Sequence, residues 1–312
     1  MNCLKRKGSV IQEFECANNP EGFEQILKTL GKDVKRTRAI LEASDRYHME
    51  IARTLQEAGA SVEVLNPTQA RDLAKGLAII DKDDKLDAGV LARAAEVLAV
   101  KQTELRSRLH EELRDLSRFI ECQTGINAEN KKRLGSAIKG SKAHEFLAAT
   151  IKAVAELIKQ AKKQWLELVK QEPEIARRYK LALSVEGVGK ETARVTACEL
   201  PARLEEFQNK QLCAYAGVVP RRKQSGKSLD KSAIGKKGNA HLRTGLYMAS
   251  GWTVFKGKGN EAFYLQLRSK GRTHKQAMVA VIHRLLRTII SVLKRNSPWT
   301  AVPPRAMRNA PI

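Results

Sequence analysis

Residues 9–65 alternate short apolar segments with amphipathic ones, a pattern typical of an α/β domain. The pattern predicts strands at 9–15, 37–41 and 61–65, and helices at 20–30 and 46–59. The strand–helix–strand order at 37–65 predicts a parallel crossover, whereas the turn at 6–8 predicts an antiparallel hairpin. The first part of the chain is therefore expected to form a small sheet covered by helices.

From residue 85 to about 183 the pattern becomes helical, highly charged and nearly free of proline and glycine. Such a segment predicts long helical arms, of the kind that pair as a coiled coil. We expect four segments: an α/β domain at 1–88, a helical arm at 89–182, a mainly helical C-terminal domain at 183–300 and a disordered tail at 301–312.

The C-terminal third contains two apolar patterns at helical spacing, and each predicts a helix with one face in a core. The first pattern comprises Leu242, Leu246, Tyr247 and Met248, and the second comprises Met278, Ile282, Leu285, Ile289 and Leu293. Four aromatic residues of the same region are compatible with stacking on bases, although packing in the core is the preferred interpretation. These residues are Trp252, Phe255, Phe263 and Tyr264.

Positive charge is concentrated in the same third of the chain. The 312 residues carry a formal net charge of +23, and residues 219–312 contribute +18 of it, with 20 Lys or Arg against two acids. Clustered cations gain free energy by releasing the counterions that surround a phosphate backbone. The segment therefore predicts a surface that binds nucleic acid, although a solvated basic face is the alternative.

Composition also argues against several classes of protein. No apolar run reaches the ~20 residues of a membrane span and no signal-peptide core follows Met1, so we expect a cytoplasmic protein without a membrane partner. The five cysteines are scattered without a CxxC pair, which predicts reduced, mostly buried thiols instead of disulfides or zinc ligands.

Three carboxylates are placed where they could share a cation. Glu42 ends an apolar strand, and ligand sites of open α/β sheets gather at such ends. Asp84 and Asp87 are three residues apart where a helix begins, so they share one face. Oxygen ligands without paired histidines suit Mg²⁺ or Mn²⁺, and this set suits phosphoryl transfer. The alternative is that the aspartates only stabilise the start of a helix.

Several short motifs in the basic third and just before it are candidate phosphate contacts. Ser225 follows Arg221, Arg222 and Lys223 and precedes Lys227, in a segment expected to be a flexible loop. It is a candidate nucleophile, and the alternative is a serine that contacts phosphate or forms a turn. Other candidate contacts are the glycine turn of Gly187, Gly189 and Lys190, which has the form of a helix-hairpin-helix turn, and Lys236, Lys237 and Arg243 around a Gly-Asn step.

Three blocks together carry a family resemblance that covers essentially the whole chain. The blocks are LEAS at 41–44, KDDKLDA at 82–88, and LCAYAGVVP at 212–220 continuing into QSGK at 224–227. The chain resembles the insertion-sequence transposases of the IS110 type, DEDD recombinases guided by a bridge RNA. The resemblance implies a RuvC-type, RNase H-like domain, with Glu42, Asp84 and Asp87 as magnesium ligands. It also implies a coiled-coil arm and a C-terminal domain in which Ser225 attacks DNA.

The family pattern opens with a strand that bears a first aspartate, and no such segment is present before the first predicted strand. We therefore expect an RNase H-like domain that lacks its first strand and one metal ligand, with poor activity as a result. The expected partners are DNA, a structured guide RNA and further copies of the chain. Two alternatives stay open: a metal-dependent nuclease of the Holliday-junction-resolvase kind, and a non-catalytic protein that binds DNA or RNA.

Overall fold

The structure is a computed structural model that describes residues 2–6, 9–43, 46–76, 84–97, 102–225, 229–234, 238–255 and 259–300. The chain divides into two compact units, 1–105 and 106–312. Each unit has hydrophobic clusters of its own. The fold is mostly helical with small sheets, as expected for an α/β domain followed by helical parts.

The first unit begins with an antiparallel pair, β1 (Asn2–Arg6) and β2 (Ser9–Phe14), as the sequence predicts. Helix α1 (Pro20–Leu30) follows. The side chain of Asn19 caps this helix by accepting a hydrogen bond of 2.9 Å from the Gly22 amide. The predicted helix start is therefore confirmed, with Pro20 at a position where its missing N–H costs nothing.

The predicted parallel crossover is confirmed. Strand β3 (Arg38–Glu42), helix α2 (Tyr47–Glu57) and strand β4 (Ser61–Leu65) form one unit, in which Arg38 pairs with Ser61 and Glu42 with Leu65. Residues of α1, α2 and β4 form its core, among them Phe23, Ile51, Ala52, Leu55 and Val62.

The second edge of β4 is covered by the segment at 102–105. The amide of Thr103 donates to the Val62 carbonyl at 2.8 Å, and the Thr103 hydroxyl accepts from the Val64 amide at 2.9 Å. Helices α3 (Pro67–Gly76) and α4 (Asp84–Val97) complete the unit, and α4 packs against β3 and β1. Among the described strands of this unit, β1–β2 and β3–β4 remain separate two-stranded sheets, so the RNase H-like fold stays a prediction.

The arm predicted from the charged helical segment is present in the second unit. It consists of α5 (Arg108–Ser136) and α6 (Lys142–Leu168), each roughly 40 Å long at 1.5 Å per residue. The helices run antiparallel, since the Trp165 indole near the end of α6 donates to the Leu113 carbonyl near the start of α5 at 3.1 Å. The outer ends carry exposed apolar residues, including Ile138 and Phe146.

The remainder of the second unit is built around α12 (His274–Arg295). Helices α7 (Pro173–Ser184), α8 (Lys190–Glu199), α9 (Asn209–Tyr215), α10 (Ala240–Phe255) and α11 (Glu261–Ser269) precede it. A strand pair, β5 (Pro220–Ser225) and β6 (Leu229–Ile234), stands between α9 and α10. All five residues of the second predicted apolar pattern, from Met278 to Leu293, are buried, and Arg284 and Arg287 are exposed, which confirms that pattern.

By length and composition, an 18-residue stretch of helix α12 is apolar enough to span a membrane, with a mean hydropathy of 1.4. Among the described helices it is the one that meets this test. Its apolar face lies inside the unit, with Leu286, Ile289 and Ile290 fully buried. The helix therefore has the character of a core helix of a soluble protein.

The first C-terminal pattern is only half right. Leu242 and Leu246 are buried as predicted, but Tyr247 and Met248 are exposed. Adjacent positions on a helix are 100° apart, so a helix cannot bury 246, 247 and 248 against one neighbour. The cysteine prediction holds in part for the described residues: Cys16, Cys122, Cys198 and Cys213 are free thiols, but only the last two are buried.

Candidate catalytic and nucleic-acid-binding site

The predicted carboxylates all lie in the first unit. Glu42 is the last residue of β3 and is half-buried beside the end of β4, where the Ala43 amide donates to the Leu65 carbonyl at 2.8 Å. Asp84 is the first residue of α4 and Asp87 lies in its first turn. Because α4 packs on β3, the structure places the three positions on elements in contact.

Carboxylate oxygens are the ligands that Mg²⁺ prefers, so the residue types fit a magnesium site. Among the side chains that the structure describes, no group of three or more His, Cys, Asp or Glu could hold a metal ion. The side chains of Asp84 and Asp87 lie outside that description, and the ligand set therefore stays a prediction.

Ser225 lies in the second unit, and its predicted loop setting is wrong. It is the last residue of β5, paired in register with Leu229 of β6, while Lys223 pairs with Lys231 and Pro220 with Ile234. Hydrogen bonding between the strands replaces the expected loop, and Arg221, Arg222, Lys223 and Ser225 all lie in β5. Lys227 lies outside the described residues.

The segment that precedes β5 and the segment that follows β6 pack tightly against each other. The Asn239 amide donates to the Tyr215 carbonyl at 2.7 Å. Gly238 has φ +147, and a Cβ atom there would lie 2.6 Å from the Gly217 nitrogen and 2.7 Å from the Tyr215 carbonyl oxygen. Only glycine fits so close to another backbone segment. The Tyr-Ala-Gly and Gly-Asn steps of the sequence therefore form the base of the strand pair.

Glu199, at the end of α8, connects these segments to helix α5 of the arm through hydrogen bonds. Its buried carboxylate accepts two hydrogen bonds from the Arg118 guanidinium of α5, at 2.6 and 2.9 Å, and one from the Asn239 amide group at 2.7 Å. The Tyr215 hydroxyl donates to the Glu199 backbone carbonyl at 2.9 Å. Burial acts to raise the pKa of Glu199, but the bonds from Arg118 and Asn239 hold it below its ordinary value. The carboxylate is therefore ionised at neutral pH.

Asn239 has a second role, because its side-chain oxygen accepts from the Leu242 amide at 2.9 Å and so caps α10. One residue thus joins the strand pair, the start of α10 and the Glu199 carboxylate. Arg243, one turn further on, donates to the Ala216 carbonyl at 3.2 Å. This predicted phosphate contact is therefore also a structural contact. Lys236 and Lys237 lie outside the described residues.

A neutral histidine is buried beside this network. The Nε2 of His110 lies 3.0 Å from the Cys198 carbonyl, so Nε2 carries the proton and donates it. Burial lowers the pKa of His110 to about 4, with further lowering by Arg106 and Arg178. Burial likewise raises the pKa of the Cys198 thiol to about 12, which leaves that thiol unreactive.

The predicted glycine turn connects α7 and α8. Gly187 has φ +83, and a Cβ atom there would lie 2.0 Å from the Thr253 side chain of α10. Gly189 is the N-terminal cap residue of α8, and Lys190, the first residue of that helix, is exposed. Glu191 in the same turn is bonded to Lys162 and Arg194 at 2.6 Å each. The turn is tightly packed on one side and open at Gly189 and Lys190.

Comparison with known proteins identifies the family. A family model described as a transposase, of the DEDD IS110 type, matches residues 1–141, and a second, described as the IS116/IS110/IS902 transposase family, matches residues 179–265. The chain belongs to the IS110-type transposase family. This is a family of DNA recombinases, and therefore of enzymes.

Relatives of this family cover most of the chain. It is 28% identical over 310 residues to a "Pilin gene-inverting protein" of Moraxella bovis, covering 92% of this chain and 90% of that protein. It is 26% identical over 224 residues to a "Probable family 20 transposase" of Pseudomonas aeruginosa, covering 62% of this chain and 64% of that protein. The range matched by the first family model, 1–141, includes Glu42, Asp84 and Asp87. The range matched by the second, 179–265, includes Ser225.

Glu199 and Arg118 are the residues of this IS110-type site that sequence reasoning missed. Arg118 is one of many charges on a long helix, and no spacing links it to a residue 81 positions later. Glu199 offers a weak signal, since it is the one charged residue in the apolar stretch from Val195 to Leu200. Burial of a charge requires a partner, so that isolated acid could have been identified as half of a buried pair.

Proposed function

We propose that this IS110-type protein recombines DNA through a covalent intermediate on Ser225. The observation that carries the proposal is the β5–β6 pair, in which Ser225 lies on the same strand as Arg221 and Lys223 and pairs with Leu229. The segment that follows this pair is anchored by the Asn239–Glu199–Arg118 bonds. Such anchoring favours the role because a nucleophile must approach phosphorus in line.

In the proposed step, the Ser225 oxygen attacks a DNA phosphodiester. A bond from Oγ to phosphorus forms while a bond from phosphorus to a deoxyribose oxygen breaks; the serine proton is lost, and the departing oxygen takes up a proton. The resulting phosphoserine conserves the ester for strand exchange. Arg221 and Lys223 on the same strand are suited to stabilise the negative charge that develops on the phosphate.

DEDD transposases depend in general on a divalent metal. We assign Glu42, Asp84 and Asp87 to hold magnesium, or manganese, on the basis of residue type and position. The ion supplies charge stabilisation at the reacting phosphate when bound. The chain's own contribution is to bring β3 and the first turn of α4 together, because α4 packs against that strand.

The remaining basic residues would hold the nucleic acid without reading its sequence. In the sequence Arg222 belongs to β5, Lys227 lies between the two strands, and Lys236 and Lys237 follow β6. Gly189 and Lys190 lie at the open start of α8, next to Gly187. A transposase binds DNA, and the +18 segment is large enough to bind a structured guide RNA as well. We further propose that the protein acts as a homo-oligomer, since strand exchange joins two DNA partners.

Trapping the intermediate tests this proposal. A nicked suicide substrate incubated with the protein and Mg²⁺ should leave DNA covalently attached to protein, detected as a shifted band under denaturing conditions. Ser225→Ala should remove the adduct, while Ser228→Ala, three residues away, should keep it because one hydroxyl must meet the phosphorus in line.

Other outcomes separate the alternatives. Cleavage without any adduct would indicate a metal-dependent nuclease that uses water. An adduct that survives Ser225→Ala would place the nucleophile elsewhere. Binding with neither cleavage nor adduct would indicate a protein that only binds DNA or RNA.

A further inference from the structure

Helix α10 leaves a ridge of large apolar side chains in solvent. The ridge consists of three residues on one helix face, spaced by four and three positions. Met248 is 68% exposed, Trp252 54% and Phe255 65%. Burying side chains of this size would stabilise a protein, yet these remain largely exposed. The expectation that Trp252 and Phe255 pack in the core is therefore wrong.

The ridge continues into a cluster of three rings. The Phe255 ring centroid lies 6.0 Å from that of Tyr264 on α11 and 6.3 Å from that of His274 at the start of α12. The Tyr264 hydroxyl is 2.8 Å from Nδ1 of His274, which fixes the two rings relative to each other. Contacts from three helices thus hold these rings in place, with Phe255 and His274 exposed and Tyr264 partly buried against the cluster of Val254, Met278 and Val281.

Phe263 provides a contrast within the same helix. It packs against Val254, Met278 and Val281, and the Arg284 guanidinium lies 5.1 Å from its ring centroid. Phe263 is therefore used by the fold, as the sequence predicts. Phe255, which is close in space to the same helices, presents most of its surface to solvent instead.

The rim of the ring cluster is basic. Four exposed cations lie at the end of α11, in the connection to α12 and at the start of α12: Arg268, Lys270, Arg272 and Lys275. The Arg268 guanidinium donates to the Arg272 carbonyl at 2.7 Å, which orders the connection between the two helices. Glu261 is the one acidic residue between 238 and 300. The rim is complementary to a polyanion, whereas two copies related by a two-fold axis would oppose the same cations.

We propose that Met248, Trp252, Phe255, Tyr264 and His274 form a platform on which unpaired bases of a single nucleic-acid strand stack, while the basic rim holds its phosphates. Flat rings in a cationic surface suit this ligand because every base has a π-face. Bases inside a duplex are already stacked on one another and cannot use the platform. The proposal rests on the proposed recombinase function for its role, since strand exchange and guide pairing both expose unpaired bases.

Binding measurements with the full-length protein test the platform. A short labelled oligothymidine strand and a duplex of equal length are titrated at one salt concentration with Trp252→Ala and Phe255→Ala. Stacking is worth about 1–3 kcal/mol per base, so each change should weaken single-strand binding by roughly 5- to 150-fold and leave duplex binding unchanged. The dependence of binding on salt should not change, because no charge is removed.

Matched variants show whether the effect belongs to this surface. Phe146→Ala removes a phenylalanine that is 72% exposed on the arm and should leave binding unaltered. Phe255→Tyr retains a ring and should retain binding. Arg268→Ala should weaken single-strand binding and reduce its dependence on salt.

Three results would overturn the proposal: unaltered single-strand binding in both alanine variants, equal weakening of duplex and single strand, or weakened self-association with normal binding. The last would show that a second copy covers the ridge. The test is independent of catalysis, because Ser225→Ala should bind the single strand normally. A protein that binds single strands through these rings but forms no adduct would refute the recombination chemistry and leave the platform standing.

Discussion

Glu199 shows how one buried carboxylate connects distant parts of the second unit. It is 1% exposed and bonds to Arg118 of the arm and to Asn239 beside the strand pair. A carboxylate without partners would be strongly destabilising at such a depth, so its three hydrogen bonds are required for the fold. The same bonds fix the position of the element that carries Ser225.

Neutralising this carboxylate should be costly. We expect Glu199→Gln to lower the free energy of unfolding by about 2–4 kcal/mol, because Arg118 loses its counter-charge and the new amide faces other donors. Denaturant unfolding followed by tryptophan fluorescence reports on this unit, since Trp165, Trp252 and Trp299 all lie within it.

Glu129→Gln is a suitable control, because Glu129 pairs with Arg133 on the exposed surface of the same arm helix α5. Its effect should be below about 0.5 kcal/mol. Equal losses in the two variants would mean that the Glu199 network does not stabilise the unit.

His110 should make the second unit sensitive to mild acid. Its pKa is about 4 in the folded protein, against an ordinary value of 6.5, so the unfolded chain binds more protons between these values. Stability therefore falls as the pH drops through this window, by about 2 kcal/mol between pH 7.5 and pH 5.

The variant His110→Gln keeps a donor for the Cys198 carbonyl but cannot be protonated. Its unfolding free energy should vary less between pH 7.5 and pH 5 than that of the unaltered protein. An unchanged pH dependence would show that other groups cause the loss of stability.

At the scale of elements, the two candidate catalytic parts differ in kind. Glu42 lies at the end of a parallel strand, and Asp84 and Asp87 lie in the first turn of a helix that packs on it. The Ser225 strand is short and antiparallel, and Gly238 and Asn239 hold its base. The first part gains its geometry from strand pairing and packing, and the second from a network of buried polar groups.

Changes in the first turn of α4 test the metal assignment. Asp84→Asn and Asp87→Asn should each abolish Mg²⁺-dependent strand cleavage or adduct formation, because each removes one unit of negative charge at the ions. DNA affinity should stay within about twofold, because neither change touches the basic third of the chain. Asp72→Asn, in the neighbouring helix α3, serves as a control and should behave normally. If both variants still cleave DNA, the two aspartates only stabilise the start of α4 and bind no metal.

At the scale of the whole molecule, charge and apolar residues are divided between surface and core. Helix α12 buries its apolar face and presents Arg284 and Arg287, which belong to the +18 segment. Position 183 lies inside α7, whose residues pack in two of the hydrophobic clusters of the second unit. A fragment that represents the basic surface should therefore begin at about residue 106, where the compact unit begins.

Binding by this surface should depend steeply on salt. If roughly six phosphates are contacted, affinity for duplex DNA should fall by about a thousandfold between about 50 and 200 mM salt, for the full-length protein and for a fragment of residues 106–312 alike. Fluorescence anisotropy across a salt series measures the slope. A flat response would contradict the electrostatic account of the basic third.

Much of the fold could be predicted from local patterns. The strands around α2, the Asn19-capped helix α1, the long arm helices and the buried stripe of α12 follow from periodicity and from cap residues, which act within a few positions of the chain. The sequence predicts a loop at Ser225 because basic and polar residues dominate residues 220–225. The strand there is formed by hydrogen bonds to β6, which an apolar pattern does not reveal. The exposure of Trp252 and Phe255 could not be predicted either, since a helical pattern does not say which stripe meets a neighbour.

By itself the sequence determined the order of elements, the basic third and the residue types of the candidate site, because propensity, periodicity and charge are properties of neighbouring residues. The tertiary structure alone decided that Glu199 meets Arg118 and Asn239 across 81 and 40 positions, and that Gly238 touches Gly217. Contacts at such separation depend on how helices pack, and many sequences with the same local pattern could pack otherwise. The physical reason is that burial of a charge or close approach of two backbones is set by the surroundings in space.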